Sequence, residues 1–227
     1  MTDTIIQILL LVPALIVAIV FHEVAHGYVA MLLGDPTAKE RRRLSLNPLR
    51  HVDPIGTLLV PGAMLLAGGP AFGWAKPVPV IKERLDNPRF GMMAVAAAGP
   101  GTNLLLALVG AIALGLFAPK LGLGMNGEAG YGAQALFYFI LINIFLAVFN
   151  MLPIPPFDGS HIVEGLLPPS WGETYNRLRP FGMMFFFALV ASVWFFPQLG
   201  ILENTVGVPV NWLLEKYLGL AEAISGL

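Results

Sequence analysis

Five long stretches of this chain carry almost no charged side chain, so the few polar positions inside them can be weighed one at a time. The first runs from about Thr4 to Leu33, and residues 4 to 21 within it are uncharged. Eighteen helical residues rise about 27 Å, most of the thickness of a hydrocarbon layer. Gly34-Asp35-Pro36 ends that helix with residues that cannot continue it. The later runs are Ile55 to Ala75, Gly91 to Pro119, Ala133 to Leu152 and residues 180 to 199. Only the run from Ile55 to Ala75 is broken throughout, by Gly56, Pro61, Gly62, Gly68, Gly69, Pro70 and Gly73. From about Pro209 to Ile224, Leu213, Leu214, Tyr217, Leu218 and Ile224 fall near one helical face, with Glu215 and Lys216 off it. That pattern predicts an interfacial helix, with a short packing helix as the alternative.

Composition agrees with the runs. Hydrophobic residues make up 56% and charged residues 12% of 227, about half the charge of a soluble domain. The expected class is an all-α polytopic membrane protein forming one domain over residues 1–227, with no internal repeat. A net charge of −1 leaves no nucleic-acid footprint. The first run has no basic residue before it and carries ionisable groups, so it reads as a retained helix rather than a cleaved leader.

Charge also orders the spans. Lys39, Arg41, Arg42, Arg43 and Arg50 follow the first helix closely, which places that end in the cytoplasm and the N-terminus outside. If the Gly/Pro-rich run re-enters rather than crosses, eleven of the 13 Lys and Arg residues are cytoplasmic, and Lys120 and Lys216 are outside. If it crosses, the asymmetry largely disappears. The expected architecture is therefore about four full transmembrane helices plus a re-entrant segment at 55–75.

Against this apolar background stands His22-Glu23-Val24-Ala25-His26. Ionisable residues within a membrane span are costly and read as functional. His22 and His26 are four apart, so both imidazoles leave one helix face and can hold one metal ion. Glu23 lies about 100° round from His22, placed to activate water without acting as a ligand. With no cysteine in the chain, any metal must be held by His and carboxylates. Two histidines are half a catalytic zinc site, which needs a third protein ligand. The best candidate is Asp158, in Asn150-Met151-Leu152-Pro153-Ile154-Pro155-Pro156-Phe157-Asp158-Gly159, where three prolines unwind the end of a span. His161, and His51 with Asp53, are rival ligands; His51 reads as a loop histidine. In the four-span topology the first and third spans both run inward, which brings Asp158 to the same end as the histidines.

The pairing of His22-Glu23-x-x-His26 with Asn150-x-x-Pro153-x-Pro155-x-x-Asp158-Gly159 resembles the site-2 protease family of intramembrane zinc metalloproteases. Phe72-Gly73-Trp74-Ala75-Lys76-Pro77-Val78-Pro79-Val80 and Ala98-Gly99-Pro100-x-x-Asn103 resemble the same family, specifically its small bacterial and archaeal members. The chain departs from larger relatives by showing no PDZ or CBS module. The resemblance implies one Zn2+ per chain held by His22, His26 and Asp158, and Glu23 as catalytic acid and base. It also implies roles near the site for Asn103 and Asn150, a bacterial or archaeal cytoplasmic membrane, and substrates that are membrane proteins with a transmembrane segment. Oligomeric state stays open.

Residues 72–80 suggest how a substrate would be held. In a short β-loop, Pro77 and Pro79 blunt one edge while Lys76, Val78 and Val80 keep their donors on the other, ready to pair with an unwound substrate. Gly73, Trp74 and Lys76 are candidate substrate contacts on that reading. The Asn103 amide can bond a substrate carbonyl or oxyanion, or it can join helices. A metal-binding transporter or proton relay would also use His and carboxylates at depth and is the alternative function.

Overall fold

A computed structural model describes residues 2–68, 72–118 and 130–226, with side chains from Ile5 onward. The connection carrying Lys120 and Glu128, and Gly69 and Pro70 of the broken run, lie outside the described residues. The elements are α1 (Thr2–Leu32), the single turn α2 (Thr37–Glu40), α3 (Val60–Leu66), α4 (Pro88–Phe117), α5 (Tyr131–Asn150), α6 (Asp158–Leu166), α7 (Pro169–Asn176), α8 (Gly182–Phe195) and α9 (Val208–Ser225). Among the described residues there is no β-strand. Four helical stretches are long and apolar enough to cross a membrane: Ile5–Leu32, Pro88–Phe117, Tyr131–Asn150 and Pro169–Phe195. The last is compound, since a 3₁₀ turn at Arg179–Phe181 separates α7 from α8.

The termini of these helices follow local chemistry. α1 closes where Gly34 takes φ +102° and the Asp35 N–H reaches back to the Ala30 carbonyl. α4 opens on Asn87, whose side chain accepts from the Phe90 N–H, with Pro88 in the first turn. Between spans, lipid supplies no net hydrophobic drive, so close packing of small residues has to hold the helices together. α4 is the central helix, packed against α1, α5, α6 and α9. Its Ala107 and Ala111 are fully buried against α5 and α9 together with Ile140 and Ile144. Ala14 and Ala18 of α1 meet Ile142 of α5 in a second cluster.

The C-terminal helix packs one face on the bundle: Val210 and Ala221 are buried, and Leu213, Leu214, Tyr217 and Leu218 pack into the cluster formed with α4 and α5. One expectation changes here. The expected β-loop is extended chain without a ladder, because its backbone groups find other partners.

Those partners bring the ends of the broken run together. The Trp74 N–H donates to the Gly56 carbonyl at 3.1 Å and the Lys76 N–H to the His51 carbonyl at 2.9 Å. The intervening apolar helix, Pro54–Leu66, begins with a π-helical turn capped by the Asp53 carboxylate. Residues 51–76 thus leave and return at the same level.

Candidate metal centre

Residues in the facing helices settle how the two imidazoles are held. His22 Nδ1 lies 2.6 Å from Asn103 Oδ1, and His26 Nδ1 lies 2.7 Å from the Val95 carbonyl. Val95, Gly99 and Asn103 are four apart, so one stripe of α4 runs antiparallel past His26 and then His22. Both partners are oxygen acceptors, so each Nδ1 carries the proton and each Nε2 keeps a free lone pair. The histidines are 6% and 9% exposed, which shields those lone pairs from bulk solvent.

Gly99 makes room for this arrangement. A Cβ there would lie 2.5 Å from His26 Nε2 and 2.6 Å from His22 Nε2. Any other residue would occupy the space in which the donors converge.

The third donor comes from the unwound end of α5. Gly159 has no room for a Cβ, which would sit 2.2 Å from the Met151 carbonyl oxygen, so the chain folds tightly back on itself. That fold sets Asp158 Oδ2 3.1 Å from His22 Nε2 and 3.3 Å from His26 Nε2. Both imidazoles therefore turn Nε2 toward one carboxylate oxygen, and in their neutral form two lone pairs and a carboxylate converge on one point. The edges of a tetrahedral site with bonds of about 2.0–2.1 Å are about 3.3 Å long, so the spacing fits zinc. Two neutral imidazoles and a carboxylate also form the usual donor chemistry of a catalytic zinc. Among the described residues, these three form the sole group of His, Asp and Glu donors converging in this way.

The remaining candidates separate clearly. Glu23 accepts a hydrogen bond from the Val78 N–H at 2.8 Å, so the 72–81 segment passes over the catalytic candidate. Asn103 is fully buried, and its amide N–H groups go to the Ala18 carbonyl at 3.1 Å and to Asn143 Oδ1 at 2.8 Å. It therefore has no N–H left for a substrate and serves as the interhelical contact. Asn150 turns back to the Leu146 carbonyl of its own helix. Gly73 packs on the Gly56 carbonyl, the Trp74 ring meets Phe186 and Phe187, and the Lys76 carbonyl accepts from Arg43. Of the donors expected on the edge facing substrate, those of Lys76 and Val78 are engaged, by the His51 carbonyl and by Glu23.

Neither rival histidine joins the metal group. His161 lies against the Arg179 guanidinium, and burial, then that positive charge, push its imidazole down to about 4. His51 is buried with Nε2 on the Ser45 carbonyl, a loop histidine as expected. Three contacts of the site enter only with the tertiary structure: Asn143, the Val95 carbonyl and the close approach of Gly99. Asn143 carried the same signal as Asn103, an amide in an apolar span, whereas a backbone carbonyl such as that of Val95 leaves no trace in sequence.

The profile of Peptidase family M50 matches residues 123–193, a stretch that includes α5, Asp158 and most of α8. The chain is also 41% identical over 183 residues to the Bacillus subtilis protein named "Putative zinc metalloprotease YwhC", covering 80% of each. This chain belongs to peptidase family M50. A Mycobacterium tuberculosis protein named "Putative zinc metalloprotease Rip2" is 30% identical over 202 residues, covering 85% of this chain and 72% of that protein. One from Methanocaldococcus jannaschii, named "Putative zinc metalloprotease MJ0611", is 38% identical over 106 residues, 47% of this chain and 46% of that one. No solved structure matches significantly. As an M50 member the chain is a zinc metalloprotease with the helices of a multi-pass membrane protein, and the transporter alternative falls away. The M50 match covers the carboxylate half of the metal group and the wider alignments extend beyond it.

Proposed function

We propose that this protein cleaves peptide bonds in or near transmembrane segments of membrane-protein substrates, with His22, His26 and Asp158 as zinc ligands and Glu23 as acid and base. The convergence of two Nδ1-tied imidazoles and one carboxylate within 3.1–3.3 Å carries the reading. When bound, zinc supplies Lewis acidity to a carbonyl and lowers the pKa of water toward neutrality. Glu23 takes a proton from the attacking water and returns it to the amide nitrogen as the C–N bond breaks. The Val78 N–H holds one Glu23 oxygen, which leaves the other to move the proton. Gly73, Trp74 and Lys76 act by holding the 72–81 segment over Glu23, and substrate must share or displace those bonds.

The site lies toward the cytoplasmic face. Glu23 and His26 sit in the last third of α1, and the basic residues Lys39 to Arg50 follow its end. The return of residues 51–76 to one level supports a re-entrant segment and a single domain with four spans.

Purified protein reconstituted with a single-span substrate tests the mechanism. Glu23→Gln is expected to lower the cleavage rate by about 10²–10⁴-fold while zinc content stays at the wild-type level. Cleavage by Glu23→Gln at the wild-type rate would show that another group moves the proton.

A further inference from the structure

We propose that Asn143 sets the metal-binding tautomer of His22, acting through Asn103; the inference rests on the reading of His22 as a zinc ligand. Two buried amides stand in line behind the imidazole, one on α4 and one on α5, and both are 0% exposed. Their orientations follow from backbone carbonyls, which can only accept. Asn143 turns its Nδ2 to the Phe139 carbonyl at 2.8 Å, so its Oδ1 faces Asn103. Asn103 turns its Nδ2 to the Ala18 carbonyl and to that Oδ1, at 3.1 and 2.8 Å. Both amide hydrogens of Asn103 are then used, and only its carbonyl oxygen remains for His22 Nδ1 at 2.6 Å. The imidazole must donate there, which leaves Nε2 unprotonated for metal.

This lock has an opponent. Asp158 Oδ2 lies 3.1 Å from His22 Nε2, and before metal binds that carboxylate attracts a proton onto Nε2. If the Asn103 amide reversed, its N–H would face Nδ1 and the imidazole would settle with its proton on Nε2, unable to bind. In the native arrangement reversal costs the bonds to both Ala18 and Asn143. Removing the Asn143 acceptor leaves a buried Asn103 N–H unpaired and takes away much of that cost. Asn143 touches neither metal nor substrate, so it is a positioning residue.

The full-length protein in detergent, labelled with ¹⁵N in its 4 histidines, gives two readouts. Zinc affinity is measured by chelator competition, and the protonation of His22 Nδ1 by ¹⁵N chemical shift. Asn143→Leu is expected to weaken zinc binding about ten- to a hundredfold and to move His22 Nδ1 from protonated to unprotonated. Asn143→Val serves in its place if leucine prevents folding. Asn143→Asp keeps an acceptor toward Asn103, so it should retain affinity within about threefold and keep Nδ1 protonated. Wild-type affinity in Asn143→Leu overturns the inference, as does lost affinity with Nδ1 still protonated, or an Asn143→Asp variant as weak as Asn143→Leu. His22→Ala separates the two levels: zinc retained there overturns the metal site itself, while zinc lost there with an unaffected Asn143→Leu overturns only the role of Asn143.

Discussion

Gly99 shows how a position without a side chain can be as specific as a ligand. A Cβ at 99 would meet both imidazoles at 2.5–2.6 Å, far inside van der Waals contact. Gly99→Ala is therefore expected to weaken zinc binding tenfold or more, although alanine is the better helix former and helix content by circular dichroism should not fall. Unchanged zinc affinity by chelator competition would mean that α4 does not press on the donors. The ionisable residues of the site were legible in the chain because lipid makes them conspicuous: His22, Glu23 and His26 interrupt an apolar run. The role of Asn103 was not, since an amide in a span suits a substrate contact and a helix contact equally. In the structure both of its amide hydrogens go to the neighbouring helices, which supports the second.

Among the elements, α6 carries the proposed third ligand at its first residue and is clamped along its length. Glu164 pairs with Lys82 at 2.7 Å and with Arg179, and Arg89 donates to the Gly165 and Leu167 carbonyls. These cations arrive from the 72–82 segment, from α4 and from the turn before α8, so α6 and Asp158 are fixed from three sides. His161 belongs to the same clamp, with its imidazole pushed from 6.5 down to about 4 by burial and by Arg179. Between those values the unfolded chain binds a proton that the folded chain refuses, so stability rises with pH across the window and falls on acidification. Above about 6.5 both states are neutral and the contribution is constant. The thermal midpoint in detergent is expected to drop between pH 7.5 and 5 by more in wild type than in His161→Gln. Equal drops would place the acid sensitivity elsewhere. The prolines and Gly159 announced that a helix breaks before Asp158, but the clamp beyond it joins residues as far apart as Lys82 and Glu164, which no local pattern connects.

The whole molecule is a bundle centred on α4, with α1 supplying two donors and the end of α5 leading to the third. The proposed orientation rests on charge, and the chain's lack of cysteine makes it testable with a single label. Glu83→Cys, at an exposed site in the basic segment, should react with an impermeant thiol reagent in inside-out vesicles and resist it in right-side-out ones. Labelling confined to right-side-out vesicles would reverse the topology and make residues 51–76 a full crossing.

Span positions, their ends and the ionisable half of the site depend on neighbours within about four residues along the chain, so periodicity, breakers and charge suffice to read them. The metal group itself depends on pairs 81 and 136 residues apart, His22 with Asn103 and His22 with Asp158. Small residues decide how near the helices come, and backbone carbonyls decide which way each amide and imidazole turns. Neither is written in the residues that they orient. The chain alone marks His22 and His26 as candidate ligands in an unlikely solvent, but only the packed bundle turns their Nε2 atoms together toward Asp158.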